Sequence, residues 1–139
     1  MNTENHAKGK IFWPENRRMT VAITFDFQGG EPVRPLANGK MNNEDYAEAE
    51  YGPKTGIWRI LRMLDEVKVK TTFLTCGGIA ERYPDAVKAV AEQGHEIAGH
   101  GYHHGVARDL SRQEEKDVTR RTTDMLMKRT GKRPVGWRT

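Results

Sequence analysis

The sequence predicts an α/β fold, the N-terminal half of a distorted (β/α) barrel, in which parallel strands are joined by crossover helices. Two observations lead to this prediction. Runs of β-branched and apolar residues alternate with segments of helical periodicity, in the order β-α-β-α-β-α-β, and the links are short. The chain has 139 residues, whereas an eight-stranded barrel typically has about 250. A flavodoxin-like open sheet is the competing architecture, but no glycine-rich phosphate loop follows the first strand.

The composition is typical of one globular domain and argues against several classes of protein. Hydrophobic residues make up 36% of the chain and charged residues 30%, and the apolar runs are too short for a transmembrane helix. The 23 Lys and Arg residues are interspersed with 19 Asp and Glu residues, which argues against a nucleic-acid partner. The N-terminal residues lack the apolar stretch of a secretory signal, and the single cysteine, Cys76, favours a reducing compartment. We therefore expect a cytoplasmic protein with no membrane partner.

The first part of the chain is expected to hold a polar arm and one buried strand. Residues 1–18 form the arm, and the domain is placed at residues 19–139. The β-branched run at residues 20–26 predicts a buried strand that ends at Asp26. Residues 31–52 show no clean periodicity, so a long loop is expected there.

The middle of the chain predicts two helices and two strands. Apolar residues at helical spacing predict helices over residues 55–67 and 84–93. Strands are expected at residues 70–75, where Gly77 and Gly78 close the strand, and at residues 95–100.

The last part of the chain predicts a capped helix and the start of a fourth strand. Ser111 and Glu114 have the spacing of a capping box. The helix that follows is expected to end at Gly131, and residues 134–139 begin the strand.

Polar residues follow the predicted strands, at the edge where parallel β/α folds place their functional sites. Asp26, Cys76, His100 and Arg138 are expected to share this edge, with His104 close by. This convergence indicates a functional site more strongly than any one of the residues does.

The residues by themselves leave each role open. His100 and His104, four residues apart, can bind one metal ion, or they can belong to an unrelated polar loop. Asp26 is a metal ligand, a general base or the cap of the turn that follows it. Arg138 pairs with Asp26 and fixes its orientation, or it simply ends a strand. Cys76 is expected to be a buried, inert thiol.

Three segments resemble motifs of the polysaccharide deacetylase family, which is also called the NodB homology domain. They are TFDFQGGE, GHEIAGHGYHHG and RPVGWRT, and the resemblance covers about residues 12–139. The segment EYGPKTGIWRILRMLDE is similar to a narrower branch of the family. That branch holds allantoinase-like and cyclic-imide-hydrolysing members and cytoplasmic peptidoglycan-deacetylase-like proteins.

The resemblance implies a role for each of four residues. Asp26 would be the general base that activates water, and Arg138 would orient it. His100 and His104 would bind a divalent metal, usually zinc. The metal would polarise the carbonyl of an amide and lower the pKa of its bound water.

The sequence departs from the family pattern at the position of a second aspartate, a metal ligand in the family. Gln28 stands there, and a neutral amide oxygen binds a cation more weakly than a carboxylate does. Glu31 is a candidate substitute, and Glu31 and Tyr102 are candidate substrate contacts. Allantoinase-like relatives can work without metal, so metal-free operation is an alternative.

The resemblance implies a hydrolase of non-peptide carbon–nitrogen bonds. The reaction is N-deacetylation of an amino sugar or ring opening of a small cyclic amide or imide. The later family motifs, including the histidine that acts as general acid, are absent from the sequence. We therefore expect either a truncated product or a second polypeptide that carries the rest of the barrel, and a homo-oligomer of the completed unit. The alternative is a non-catalytic binding or assembly subunit that keeps the fold.

Overall fold

The computed structural model describes residues 17, 19–29, 43–104 and 110–138. These residues form three strands, five α-helices and one π-helix, in the order β1 (Thr24–Phe27), α1 (Asn43–Tyr51), the π-helix (Gly52–Gly56), α2 (Ile57–Glu66), β2 (Thr72–Thr75), α3 (Gly77–Arg82), α4 (Pro84–Glu92), β3 (Glu96–Gly99) and α5 (Arg112–Thr130). The predicted α/β alternation is confirmed. The arm expected before residue 17 lies outside the described residues.

The three strands pair in the order β1-β2-β3, and both pairs are parallel. Phe25, Phe73 and Ile97 lie opposite one another in the register of the sheet. Beyond β3, Trp137 forms a single parallel bridge to Gly99, at the place where the sequence predicts a fourth strand. The carboxyl ends of the strands therefore meet at one edge of the sheet.

The first strand is shorter and more exposed than the sequence predicts. It begins at Thr24 rather than at residue 20, and the side chains of Val21 and Ile23 are 74% and 46% exposed. Among the described strands, β1 has a neighbour on one side only. The prediction of a buried strand is therefore wrong for its first half, because an unpaired sheet edge leaves side chains in solvent.

One face of the sheet packs against the helices and forms the hydrophobic core. Phe73 in β2 stacks on Phe25 in β1, with ring centroids 5.2 Å apart. Helices α2 to α5 supply the most deeply buried side chains, which are Leu61, Ile79, Val87, Val90 and Leu126. Fully burying one such side chain stabilises the fold by about 1.5–3 kcal/mol. Because successive strand residues alternate between faces, Thr24 and Asp26 lie on the face opposite this core.

A helix occupies part of the segment that the sequence predicts as a loop. Helix α1 begins at Asn43 and continues through the π-helix, where Ile57 donates its N–H to the carbonyl of Gly52. The loop prediction is therefore wrong from residue 43 onward. Ala and Glu favour this helix by propensity. Of residues 47–51 only Ala49 is buried. This stretch of the helix therefore has no stripe of apolar side chains from which the sequence could predict it.

Two glycines follow the end of β2 and also begin a helix. The predicted end of the strand before these glycines is confirmed, since β2 ends at Thr75. Gly77 and Gly78 are the first residues of α3, with Cys76 as the N-cap, and the sequence analysis does not predict this helix. The predicted helix stops are confirmed, since Gly94 and Gly131 adopt positive φ angles of 78° and 72°.

The long helix α5 begins as predicted. Ser111 Oγ accepts a hydrogen bond from the Glu114 N–H at 3.3 Å, and the Glu114 carboxylate accepts one from the Ser111 N–H at 2.7 Å. These two bonds complete the capping box.

None of the described helices combines the length and apolar character that crossing a bilayer requires.

Candidate active site

Five polar side chains converge at the carboxyl edge of the sheet. Asp26 and Gln28 come from the end of β1, His100 and His104 follow β3, and Arg138 follows the last bridge of the sheet. Contacts between them join the ends of β1 and β3 and the start of the fourth strand. The predicted convergence is therefore present in the structure.

The Asp26 carboxylate is held by the side chain of Arg138. Arg138 Nη2 donates to Asp26 Oδ1, and Nη1 donates to Thr24 Oγ1 at 3.2 Å. The two charged side chains are 41% and 42% exposed. The structure confirms the predicted pairing, and the planar guanidinium fixes the orientation of the carboxylate.

Both ring nitrogens of His100 have partners. Nδ1 lies 2.8 Å from the main-chain carbonyl of Arg138, and Nε2 lies 2.9 Å from Oε1 of Gln28. Both partners are carbonyl oxygens, which only accept, so each ring nitrogen faces an acceptor.

The second histidine of the pair lies beside the first. The rings of His100 and His104 have centroids 5.4 Å apart. Behind them, the buried Cys76 thiol donates to the His100 carbonyl at 3.0 Å. The thiol is buried, as predicted, and it supports the main chain of the site.

A sequence model of the family described as polysaccharide deacetylase matches residues 46–139. The chain belongs to the polysaccharide deacetylase family. His100, His104 and Arg138 lie inside the matched segment, whereas Asp26 and Gln28 precede it.

Two named relatives and a solved structure align with 66% to 92% of the chain. The peptidoglycan deacetylase-like protein FGM2 of Gibberella zeae is 32% identical over 125 residues, which is 88% of this chain and 37% of the relative. The peptidoglycan-N-acetylglucosamine deacetylase of Bacillus cereus is 32% identical over 91 residues, 66% of this chain and 31% of the relative. The crystal structure of Puue allantoinase superposes with a TM-score of 0.83 at 25% identity, over 92% of this chain and 48% of that one. The chain therefore spans less than half the length of these relatives.

The donor atoms at the site fit a divalent cation, although no carboxylate is among them. In tetrahedral coordination two ligand atoms about 2.1 Å from one zinc ion stand roughly 3.4 Å apart, and His100 Nε2 and Gln28 Oε1 are 2.9 Å apart. Within the described part of the chain, no three His, Cys, Asp or Glu side chains cluster around one point. The candidate donors are therefore two imidazoles and one amide, and such a set favours weaker binding than a set with a carboxylate.

Tyr102, a predicted site residue, does not join the cluster in the structure. Glu31, another, lies outside the described residues. Tyr102 is 3% exposed, and its hydroxyl donates to Glu81 at 2.6 Å. This burial favours a structural role for Tyr102 over the expected contact with a substrate.

Thr24 is a site residue that the sequence analysis misses. Its hydroxyl accepts from Arg138, so it helps to hold the guanidinium beside Asp26. The alternation of side chains along a strand could have predicted this role, because Thr24 and Asp26 are two residues apart and share one face of β1.

Proposed function

We propose that this chain supplies one half of the active site of a hydrolase of non-peptide carbon–nitrogen bonds. The observation that carries the proposal is the Asp26 carboxylate, which Arg138 fixes at the same sheet edge as His100 and His104. Membership of the polysaccharide deacetylase family supports the reaction class. The bond cleaved is the acetamide of an amino sugar or the ring amide of a small cyclic amide or imide. The names of the deacetylase relatives support the acetamide, and the name of the allantoinase supports the ring amide.

Asp26 is the group to which we assign proton transfer. Arg138 engages Oδ1, so Oδ2 is the oxygen that would take a proton from the attacking water. General base catalysis of this kind contributes about 10²–10⁴-fold to the rate. The exposure of this side chain leaves room for a water molecule and a substrate beside it.

His100, His104 and Gln28 are the residues that would hold a divalent cation, zinc being the usual one in the family. Such an ion supplies Lewis-acid polarisation of a carbonyl oxygen and lowers the pKa of bound water. With such an ion bound at Nε2, the His100 proton would lie on Nδ1 and donate to the main-chain carbonyl of Arg138, which would orient the ring.

We propose that a second polypeptide supplies the remaining strands and that the completed unit forms a homo-oligomer. Apolar side chains stand exposed at both edges of the described sheet, with Val21 at 74%, Ile23 at 46%, Val135 at 91% and Trp137 at 36%. Strands that continue the sheet would cover them and remove the unpaired edges. Native mass spectrometry tests this, because a stable monomer of 15.8 kDa in the active preparation would contradict it.

A non-catalytic binding subunit is the second candidate function, and Gln28 in place of a carboxylate favours it. The test is a panel of acetylated amino-sugar oligomers and of cyclic amides and imides, together with the zinc content of the protein. Acetate release or ring opening supports the hydrolase. A protein that contains the complete barrel, retains no zinc and turns over no member of the panel would support the binding subunit instead.

A further inference from the structure

The loop that carries the two histidines is docked on the start of helix α3. We call residues 100–104 the histidine loop. The N–H of Gly77 donates to the carbonyl of Gly101 at 3.0 Å, and the N–H of Gly78 donates to the carbonyl of Tyr102 at 2.8 Å. Two N–H groups that the first turn of a helix cannot satisfy internally are therefore satisfied by this loop.

The docking leaves no room for a side chain at Gly77. A Cβ atom there would stand 2.5 Å from Cδ2 of Tyr102 and 3.3 Å from Cα of Thr122. At Gly78 a Cβ atom would stand 3.1 Å from the Tyr102 carbonyl oxygen. Because the Tyr102 ring and the main chain of α5 both crowd that Cβ position, a larger residue at Gly77 must displace the loop or the helix.

The Tyr102 side chain also contacts charged side chains of two helices, α3 and α5. Its hydroxyl donates to Oε2 of Glu81 on α3 at 2.6 Å, and the Arg121 guanidinium on α5 lies 3.6 Å from the ring centroid. Burial, with the bond to Glu81, raises the pKa of Tyr102, which keeps the hydroxyl protonated and donating. Cation–π and hydrogen-bonding contacts thus tie the loop to two helices.

The other end of the loop is held at His100 itself. Its N–H donates to the Thr75 carbonyl at 3.1 Å, and its carbonyl accepts from the Cys76 thiol at 3.0 Å. Gly101 then turns the chain with a φ of 76°. The main chain on both sides of the His100 imidazole is therefore fixed.

We propose that Gly77, Gly78 and Tyr102 are positioning residues for the histidine pair. The two glycines form a backbone cradle, and Tyr102 is the anchor that sets where His100 and His104 stand relative to Gln28 and Asp26. The role of Tyr102 is thereby changed from substrate contact to anchor. The proposal rests on the proposed function, because it assigns these residues a task in the same hydrolytic site.

Hydrogen exchange of backbone amides tests the cradle without any measurement of activity. In Gly77→Ala, exchange of the amides of residues 77 and 78, which donate the two hydrogen bonds to the histidine loop, is expected to rise at least about tenfold, since both bonds are strained. Exchange at Leu61 and Val87 should stay unchanged. Gly52→Ala is the matched control, because a Cβ atom there meets nothing within 4 Å. Unchanged exchange at residues 77 and 78, or an equal rise in all elements, would overturn the proposal.

Cobalt(II) affinity tests whether the cradle acts on the histidine pair. Gly77→Ala is expected to bind cobalt at least about tenfold more weakly than Gly52→Ala, because the displaced loop moves the two imidazole ligands out of position. Tyr102→Phe keeps the ring and loses only the bond to Glu81, so a smaller loss is expected. Equal affinity in Gly77→Ala and Gly52→Ala would count against the proposal. A wild-type chain that binds no cobalt would count against the metal in the proposed function, and the exchange experiment would still decide the cradle.

Discussion

Replacement of Arg138 by alanine removes the guanidinium that holds Asp26 but keeps the main-chain carbonyl that faces His100. The ion pair is 41–42% exposed, and exposed pairs contribute only about 0.2–1 kcal/mol to stability because solvent screens them. Loss of the hydrogen bond to Thr24 adds about 1 kcal/mol. The free energy of unfolding is therefore expected to fall by no more than about 2 kcal/mol.

The same change is expected to lower turnover by about 10²-fold, because the carboxylate loses its fixed orientation. Arg120→Ala is the matched control, since Arg120 also pairs with a carboxylate, that of Asp117 at 2.8 Å, but on the outside of α5. Urea denaturation gives the stability of both variants, and initial rates of amide hydrolysis by the completed barrel give their turnover. Equal turnover in the two variants would refute the positioning role of Arg138. A loss of stability far above 2 kcal/mol would refute the assignment of the pair as a solvent-screened contact.

Three further predictions concern the metal ligands, the response to pH and the core. Gln28→Asp is expected to bind zinc at least about tenfold more tightly, because a carboxylate replaces an amide beside His100; unchanged affinity in competition with a chromogenic chelator would contradict this. Burial, and to a lesser degree the charge of Lys70, lowers the pKa of His95 below the usual 6.5. The unfolded chain therefore binds a proton that the folded chain does not, and stability is expected to fall as pH drops from about 7 to about 5. His95→Gln should show a flatter dependence of the denaturation midpoint on pH, and an unchanged slope would contradict the assignment. Leu126→Ala, at a fully buried position, is expected to lose about 2–5 kcal/mol of unfolding free energy; a similar loss in the control Met127→Ala, 48% exposed, would contradict the placement of the core.

The elements that the sequence predicts well are those with an apolar stripe or a defined end. Helix α4 and its stop at Gly94, and helix α5 with its capping box, show both signals. Helix α1 has neither, because Ala49 is its one buried side chain among residues 47–51. Helix α3 is missed for a different reason. It begins with Gly77 and Gly78, and a glycine needed for close approach looks the same in a sequence as a glycine that ends a strand.

The candidate site was open to prediction because it depends on topology. Parallel strands bring their carboxyl ends to one edge, so Asp26 and Arg138 could be expected to meet although they are far apart in the chain. The contact between Gln28 and His100 depends on side-chain rotamers, which the spacing of residues in the sequence does not determine. The burial of Tyr102 could not be predicted either, since it depends on how α3 and α5 pack around the loop.

We assign Asp26 as the proton acceptor of a hydrolytic site. Turnover in a matched pair of variants is the decisive measurement of this role. Asp26→Ala removes the carboxylate that Arg138 holds, and Asp65→Ala removes an exposed carboxylate that pairs with Lys68 at 3.2 Å. Both variants are to be compared in the completed barrel at equal zinc content. Asp26→Ala is expected to lose at least about 10²-fold in turnover while Asp65→Ala keeps the wild-type rate. Near-normal turnover in Asp26→Ala would show that Asp26 is not the base.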